Sequence, residues 1–267
     1  MDVMPLKFIV LASGSKGNAT YLEIGNKKIL IDTGISLRQI QSRLSARNIV
    51  LDRLDAVFIT HEHIDHVSGL IAVAHKYKAT IYMTEGTEHN LSHFIKGNLT
   101  NETIHLLKCE TPIIFTDFTV QPLITYHDAC EPCGYKFIEN NKILIYITDT
   151  GYYPLTAFDA IRNAETYIIE ANHDPEMLLD SNRPWPLKRR ILDDEGHLSN
   201  EDSAFLMANV VGNKTRKIVL AHLSQECNTF TKALEKYQEV FQKQGLFFAD
   251  YHVECAYQDQ PLKEIEI

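Results

Sequence analysis

Three observations predict an α/β (α+β) fold. Apolar runs of strand length recur from Lys7–Leu11 to Lys217–Ala221, and segments with helical spacing of apolar residues lie between and after them, as in Phe230, Ala233, Leu234, Tyr237 and Phe241. A carboxylate or an imidazole closes one apolar run after another. Asp32, His61, His127, Asp149 and His222 stand in such places, so one edge of the sheets is expected to collect them. With 267 residues, 45% of them hydrophobic, the chain can bury a sizeable core, and a single domain over residues 1–267 is expected.

Taken in order, Lys7–Leu11, Thr20–Ile24 and Lys27–Ile31 read as strands, the last two joined by Gly25-Asn26, a two-residue hairpin signal. Ser13–Asn18, with the sequence SGSKGN, lacks the spacing and ending of a Walker phosphate loop. It reads either as a tight glycine turn or as a loop bordering a site. Ser36 is the better cap for a helix over Leu37–Arg47, which leaves Asp32 at its strand end without that duty. Asp55–Ile59 is a buried strand, Ser68–Tyr77 a helix and Thr80–Met83 a strand, and Thr84 caps a helix running to Phe94. Phe118–Thr125, Lys142–Ile147 and Thr166–Ile169 are further strands. Ser199 caps a helix to Val211 stopped by Gly212, Lys217–Ala221 is the last core strand, Asn228 or Thr229 opens the last helix, and Asp250–Ala256 is an edge strand.

The densest chemistry is Thr60–Gly69, THEHIDHVSG. His61 and His63, one residue apart, can close on one metal ion, while Asp65 and His66, arriving as the chain turns, can face a second. His127 is the third ligand for the first ion and His222 the terminal ligand for the second. Asp149 emerges from a buried strand as a carboxylate that needs a partner, and it fits a group shared by two cations. Nitrogen-rich ligation suits zinc or manganese, and iron would also be held. Two such ions would bind a hydroxide between them and clamp the oxygens of a displacement, which points to hydrolysis and above all to phosphodiesters. His75, His89, His93 and His105 lack this placement and are read as ordinary histidines. The single CxxC of Cys130 and Cys133 has neither a second pair nor a thioredoxin-like context.

HxHxDH after a strand resembles the signature of the metallo-β-lactamase superfamily. The segments SGSKGNAT, ILIDTG, THEHIDHVSG, HDACEPCGY, ITDTGYY, EANHDPEML, LKRRIL, GHLSNEDSA and AHLSQECN, in this order, are similar to its YycJ/WalJ branch. The resemblance implies a four-layered αββα sandwich with a two-metal site along one edge. It implies Asp32 as the residue that orients the metal-ligand loop, Asp149 as the bridging carboxylate, and a cytosolic DNA exonuclease acting from 5′ ends. Asp65 is counted with His197 and Asp32 among the catalytic residues. His197, outside the ligand set at a helix start, is free to protonate the leaving group. Ser15, Asn18 and His173 are candidate substrate contacts. Cys130, Cys133 and Cys227 depart from the pattern of the branch. An RNA-processing nuclease of tRNase Z type is the alternative, but no long glycine-rich arm stands between Asp149 and His197. A small-diester phosphodiesterase is another. A metal-binding regulator without turnover would have lost ligands, and every expected position is filled.

A formal net charge of −9 excludes a global positive field, so contact with nucleic acid must come from bound cations and local clusters. Lys188, Arg189 and Arg190 beside Trp185 form one such cluster. It reads either as a phosphate contact with an adjacent stacking aromatic or as a solvated helix face. DNA is favoured over RNA as the partner. The stretch Met1–Ser15 has only Leu6–Ala12 as an apolar run, too short for a secretion signal or a spanning helix, and five cysteines without framework spacing fit a reducing compartment. A cytoplasmic protein with no membrane partner is expected.

Overall fold

The hairpin expected at Gly25-Asn26 forms, pairing Ile24 with Lys27, and Gly25 carries the left-handed φ of 56° that the turn requires. The structure, a computed structural model, describes residues 6–99 and 104–267, so the first five residues of the N-terminal stretch lie outside it. The chain groups into two compact units. One comprises the chain up to Ile124, Ala129–Asn141 and Tyr257–Ile267; the other comprises Thr125–Asp128 and Lys142–Ala256.

The strands of the first unit are β1 (Lys7–Ala12), β2 (Ala19–Ile24), β3 (Lys27–Ile31), β4 (Ala56–Phe58), β5 (Thr80–Thr84), β6 (Ile104–Leu107), β7 (Ile113–Ile114), β8 (Thr119–Ile124), β9 (Cys133–Glu139) and β14 (Ile265–Glu266). Its helices are α1 (Leu37–Ser45), α2 (Ile64–Val67), α3 (Leu70–Tyr77), α4 (Glu85–Asn90) and α5 (His93–Asn98). One sheet runs in the order β14-β1-β2-β3-β4-β5-β6, antiparallel as far as β3 and parallel from β3 onward. Beside it, β7, β8 and β9 form an antiparallel meander. Ile40 and Leu44 of α1 and Leu70, Val73 and Ala74 of α3 share a core with Ile9, Leu11, Leu30, Val57 and Ile81 of the sheet. Each large aliphatic side chain so buried contributes about 1.5–3 kcal/mol. Ser36 closes a capping box with Gln39, as its position predicts.

The second unit holds β10 (Lys142–Ile147), β11 (Thr166–Glu170), β12 (Lys217–Ala221) and β13 (His252–Cys255), all parallel, with α6 (Phe158–Ile161), α7 (Pro175–Asp180), α8 (Trp185–Leu192), α9 (Asn200–Val210) and α10 (Phe230–Lys243). Every residue of β11 and β12 is buried, the run expected of a parallel strand covered on both faces. Parallel strands bring their C-terminal ends to one edge, and that edge receives Asp149, Glu170 and His222. Ser199 and Thr229 cap α9 and α10.

One expected helix is divided. The segment from Thr84 to Phe94 breaks at Leu91, whose backbone is extended, and Ser92 caps a new helix by accepting from the Ile95 amide. Pro175–Leu192, to which the sequence assigns no single element, holds the two short helices α7 and α8, with Ser181 extended between them. Strands β6, β7, β9 and β14 are additions to the sequence reading, and three of the four are only two to four residues long. Among the described residues no helix is long and apolar enough to cross a membrane.

Candidate metal centre

In the first unit the buried strand β4 leads into Thr60 and His61, after which His63 stands at the N-cap position of the single-turn helix α2 without a capping bond from its side chain, and Asp65 falls in the first turn. This short helix turns Asp65 and His66 back toward the strand end. The His61 ring centroid lies 4.6 Å from that of His63 and 4.0 Å from that of His66. Asp65 Oδ2 is 3.5 Å from His66 Nε2. Asp32, wholly buried, organises the group. Its Oδ1 accepts from the Thr60 amide at 2.9 Å and its Oδ2 from His66 Nδ1 at 2.8 Å, while the Thr60 hydroxyl reaches Oδ2 at 3.0 Å and His61 Nδ1 at 3.0 Å. Burial pushes the Asp32 carboxyl up, against the opposing pull of His66 and Thr60.

A second loop clamps this turn through the backbone. The Asn18 amide donates to Asp65 O, the Gly34 amide to Asn18 O, and the Thr33 amide to His66 O, at 2.8, 2.7 and 2.8 Å. The approach requires glycine, because a Cβ on Gly34 would stand 1.6 Å from Asp65 O. The SGSKGN segment therefore borders the metal-ligand loop.

In the second unit His127, Asp149, His197 and His222 gather around Glu170. Ligand-capable atoms of Asp149, Glu170, His197 and His222 all lie within 4.8 Å of one another. Glu170, at the end of β11 with no exposed surface, accepts from His197 Nδ1 at 2.8 Å, His222 Nδ1 at 2.9 Å and the amides of Thr150 at 2.9 Å and Leu198 at 3.3 Å. Burial alone would raise its pKa, but the imidazoles of His197 and His222 hold it well below the usual carboxylate range. His127 donates from Nδ1 to Gly196 O at 3.0 Å. Burial lowers its pKa, His197 adding to the shift and Asp149 opposing it. Its Nε2 then faces Asp128 Oδ1 at 3.3 Å and Asp149 Oδ1 at 3.9 Å, acceptor toward acceptor, an arrangement a cation relieves.

Four imidazoles thus share one arrangement. Nδ1 of His61, His66, His127 and His222 rests on an oxygen of Thr60, Asp32, Gly196 and Glu170, which fixes the proton there and leaves the lone pair on Nε2. That is the ring state in which a histidine ligates a divalent cation, so the residues present fit the metals expected. Asp32, Asp149 and His222 also share a left-handed backbone, with φ of 58°, 54° and 55°. Residues other than glycine hold this conformation at a cost of about 1–3 kcal/mol, typically where function imposes it.

The remaining expected residues are placed unevenly. Ser15 is exposed. Asn18 is buried, its amide engaged by Gly14 O at 3.1 Å and by His66 Nε2 at 3.0 Å, so it builds the loop rather than facing a substrate. His173 is 1% exposed and equally out of reach of a substrate. Lys188 does not offer its ammonium to phosphate. Together with Ile191 it occupies the buried side of α8, and its Nζ donates to Leu179 O. Arg190 forms a fork with Asp128, and Arg189 is exposed. All five cysteines are free thiols, Cys130 exposed and Cys133 buried. Glu170 and Thr60 are organising residues to which the sequence alone assigns no role. Glu170 carries the same signal as Asp149, a carboxylate closing a buried strand.

The family described as beta-lactamase superfamily domain matches residues 27–223. The chain is 41% identical over 229 residues to exodeoxyribonuclease WalJ of Streptococcus pneumoniae serotype 2 (strain D39), 85% of each chain. It is 38% identical over 242 residues to exodeoxyribonuclease YycJ of Bacillus anthracis, 91% of each. Among solved structures, the metallo-β-lactamase fold protein YhfI from Bacillus subtilis superposes with a TM-score of 0.72 at 17% identity, covering 98% of this chain and 100% of that one. The four-layered αββα sandwich expected from the sequence is the fold these likenesses share with the chain.

Proposed function

This chain belongs to the metallo-β-lactamase superfamily, in the branch of WalJ and YycJ, and from that premise we propose that it is a divalent-metal-dependent exodeoxyribonuclease acting from 5′ ends. The observation that carries the reading is the 38–41% identity to two exodeoxyribonucleases over most of the chain. The two units work as one hydrolase domain over residues 1–267. His61, His63, His127 and Asp149 would hold one cation, and Asp65, His66, His222 and the same Asp149 would hold the other, the donor set suiting zinc or manganese and admitting iron. When bound, the cations supply an activated water and neutralise charge on the scissile phosphate.

The chain's own groups do the rest. Asp32 and Thr60 keep His66 and His61 in register, and Glu170 does the same for His222. The Glu170 carboxylate accepts from Nδ1 of His197 and so orients the opposite nitrogen toward the site, from which the departing sugar oxygen takes its proton. An alkoxide leaves poorly without that proton. Five free thiols suit a reducing compartment, and the cytoplasm is the proposed location.

The test is purified protein with Mn²⁺ or Zn²⁺ on single- and double-stranded DNA and RNA labelled at either end. Mononucleotides released in order from 5′ ends of DNA, and suppressed by chelator, are expected. Internal cuts, or RNA consumed in preference to DNA, would overturn the assignment.

A further inference from the structure

Next to His127 in the chain, Asp128 forms one wall of a cavity of about 470 Å³ whose other walls include Trp185, Arg189, Arg190, Asp193 and Glu195. Trp185 opens α8 between Pro184 and Pro186, two residues of restricted backbone, and it is 64% exposed. A large aromatic held in solvent on a stiff helix start gives up hydrophobic burial, and a stacking partner would restore it. The charges around it are not those of a phosphate site. Arg190 is committed to Asp128, donating from Nη2 to Oδ1 at 2.9 Å and from Nε to Oδ2. That leaves the guanidinium of Arg189 and the carboxylates of Asp193 and Glu195, none of which has an ion pair or a side-chain hydrogen bond among the described residues.

An aromatic face flanked by carboxylate acceptors, with one free cation, matches a nucleobase. The ring stacks on the indole, the N–H donors present on the edge of every DNA base meet a carboxylate, and Arg189 meets the attached phosphate. The volume falls in the range of roughly 300–1,000 Å³ that pockets use for one small ligand. We propose that this cavity is a nucleobase subsite for the DNA strand, with Trp185 as its stacking platform. It rests on the nuclease reading for the identity of the strand. The link to the centre is physical, since Asp128 Oδ1 lies 3.3 Å from Nε2 of the proposed ligand His127.

Trp185 is the only tryptophan in the chain, so intrinsic fluorescence reports on this residue alone. The purified protein is titrated with dCMP and with the base-free compound 2-deoxyribose 5-phosphate. Saturable quenching by dCMP, and none by the base-free compound, is expected. On single-stranded DNA, Trp185→Ala raises KM roughly tenfold to a hundredfold with a smaller change in kcat, and Trp185→Phe restores most of the loss. Circular dichroism checks that both variants fold. Fluorescence unmoved by dCMP, or Trp185→Phe as defective as Trp185→Ala, would overturn the subsite. The two readings fail separately. Quenching by dCMP in a protein that cleaves no DNA keeps the subsite and removes the nuclease, whereas DNA cleavage with a silent Trp185 and an unchanged KM in Trp185→Ala does the reverse.

Discussion

Glu170→Gln preserves the shape of the buried side chain and removes its charge. The native carboxylate accepts four N–H groups, two imidazoles on Oε1 and two backbone amides on Oε2. A carboxamide has an acceptor at one end only, so whichever way it turns, two buried donors face an NH₂ group. Each donor left without an acceptor costs about 1–3 kcal/mol, and two together about 4 kcal/mol. Against a total stability of about 5–15 kcal/mol that is a large fraction, equivalent to a fall in Tm of roughly 10 °C for a chain of this size. If the NH₂ group faces the imidazoles, His222 escapes by moving its proton to Nε2, which removes the lone pair that would hold a cation. Metal affinity then falls about 10- to 100-fold. Calorimetry in excess chelator reads the first effect, and competition with a chromophoric zinc chelator reads the second. A variant with wild-type Tm and wild-type metal affinity would show that Glu170 does not anchor these rings.

Three further outcomes are expected. His197→Ala keeps its metals but loses on the order of 10²- to 10⁴-fold in rate on DNA and much less on bis(4-nitrophenyl) phosphate, whose leaving group needs no proton; equal losses would make His197 a structural residue. Gly34→Ala must displace backbone, since its Cβ would meet Asp65 O at 1.6 Å and Asn18 N at 2.5 Å. A loss of about 3 kcal/mol and a drop in bound metal are expected, with Gly97→Ala, where nothing lies within 4 Å, as the control; similar urea midpoints for the two would refute the clamp. Burial lowers the His173 pKa from 6.5 to about 4, so below pH 6.5 the unfolded chain takes up this proton before the folded one. Stability from this residue is complete above pH 6.5 and is lost as pH falls toward 4, by roughly 3 kcal/mol, and His173→Leu flattens that limb of the urea midpoint against pH.

What the sequence discloses follows from how local each signal is. The four ligand candidates of THEHIDHVSG sit within six residues, so their density is visible without any fold. Asp32, His127, Asp149 and His222 are visible singly, each because a charged or imidazole side chain closes an apolar run. Glu170 shows the same pattern as Asp149, yet the two do different work. Which carboxylate turns inward to accept four N–H groups, and which stays available for the proposed cations, depends on the backbone beyond the strand end, and only Asp149 of the pair has a left-handed φ. Lys188 fails for a different reason. A run of three basic residues reads as one patch, but successive residues of a helix point about 100° apart, so the turn that exposes Arg189 carries Lys188 to the side of Ile191. That phase was available from Leu187 and Ile191, whereas the break at Leu91 and the short strands β6, β7 and β14 leave too few residues for any period to register.

The shared conformation of Asp32, Asp149 and His222 bears most directly on function. Each ends a parallel-paired strand, where an ordinary extended residue would carry the side chain onward along the strand. A left-handed residue instead turns the chain sharply and redirects its own side chain at the strand end. Asparagine or glycine would make such a turn more easily, but glycine has no side chain and asparagine only one acceptor oxygen, whereas Asp32 accepts from the Thr60 amide on Oδ1 and from His66 on Oδ2. His222 occupies the same region without the side-chain oxygens that ease aspartate into it. Its strain is offset instead by Glu170 on Nδ1 and by the Asn172 amide on its carbonyl at 2.9 Å. Glycine or asparagine would hold this backbone at residue 222 at lower cost, and the ligand role proposed for His222 accounts for the imidazole there.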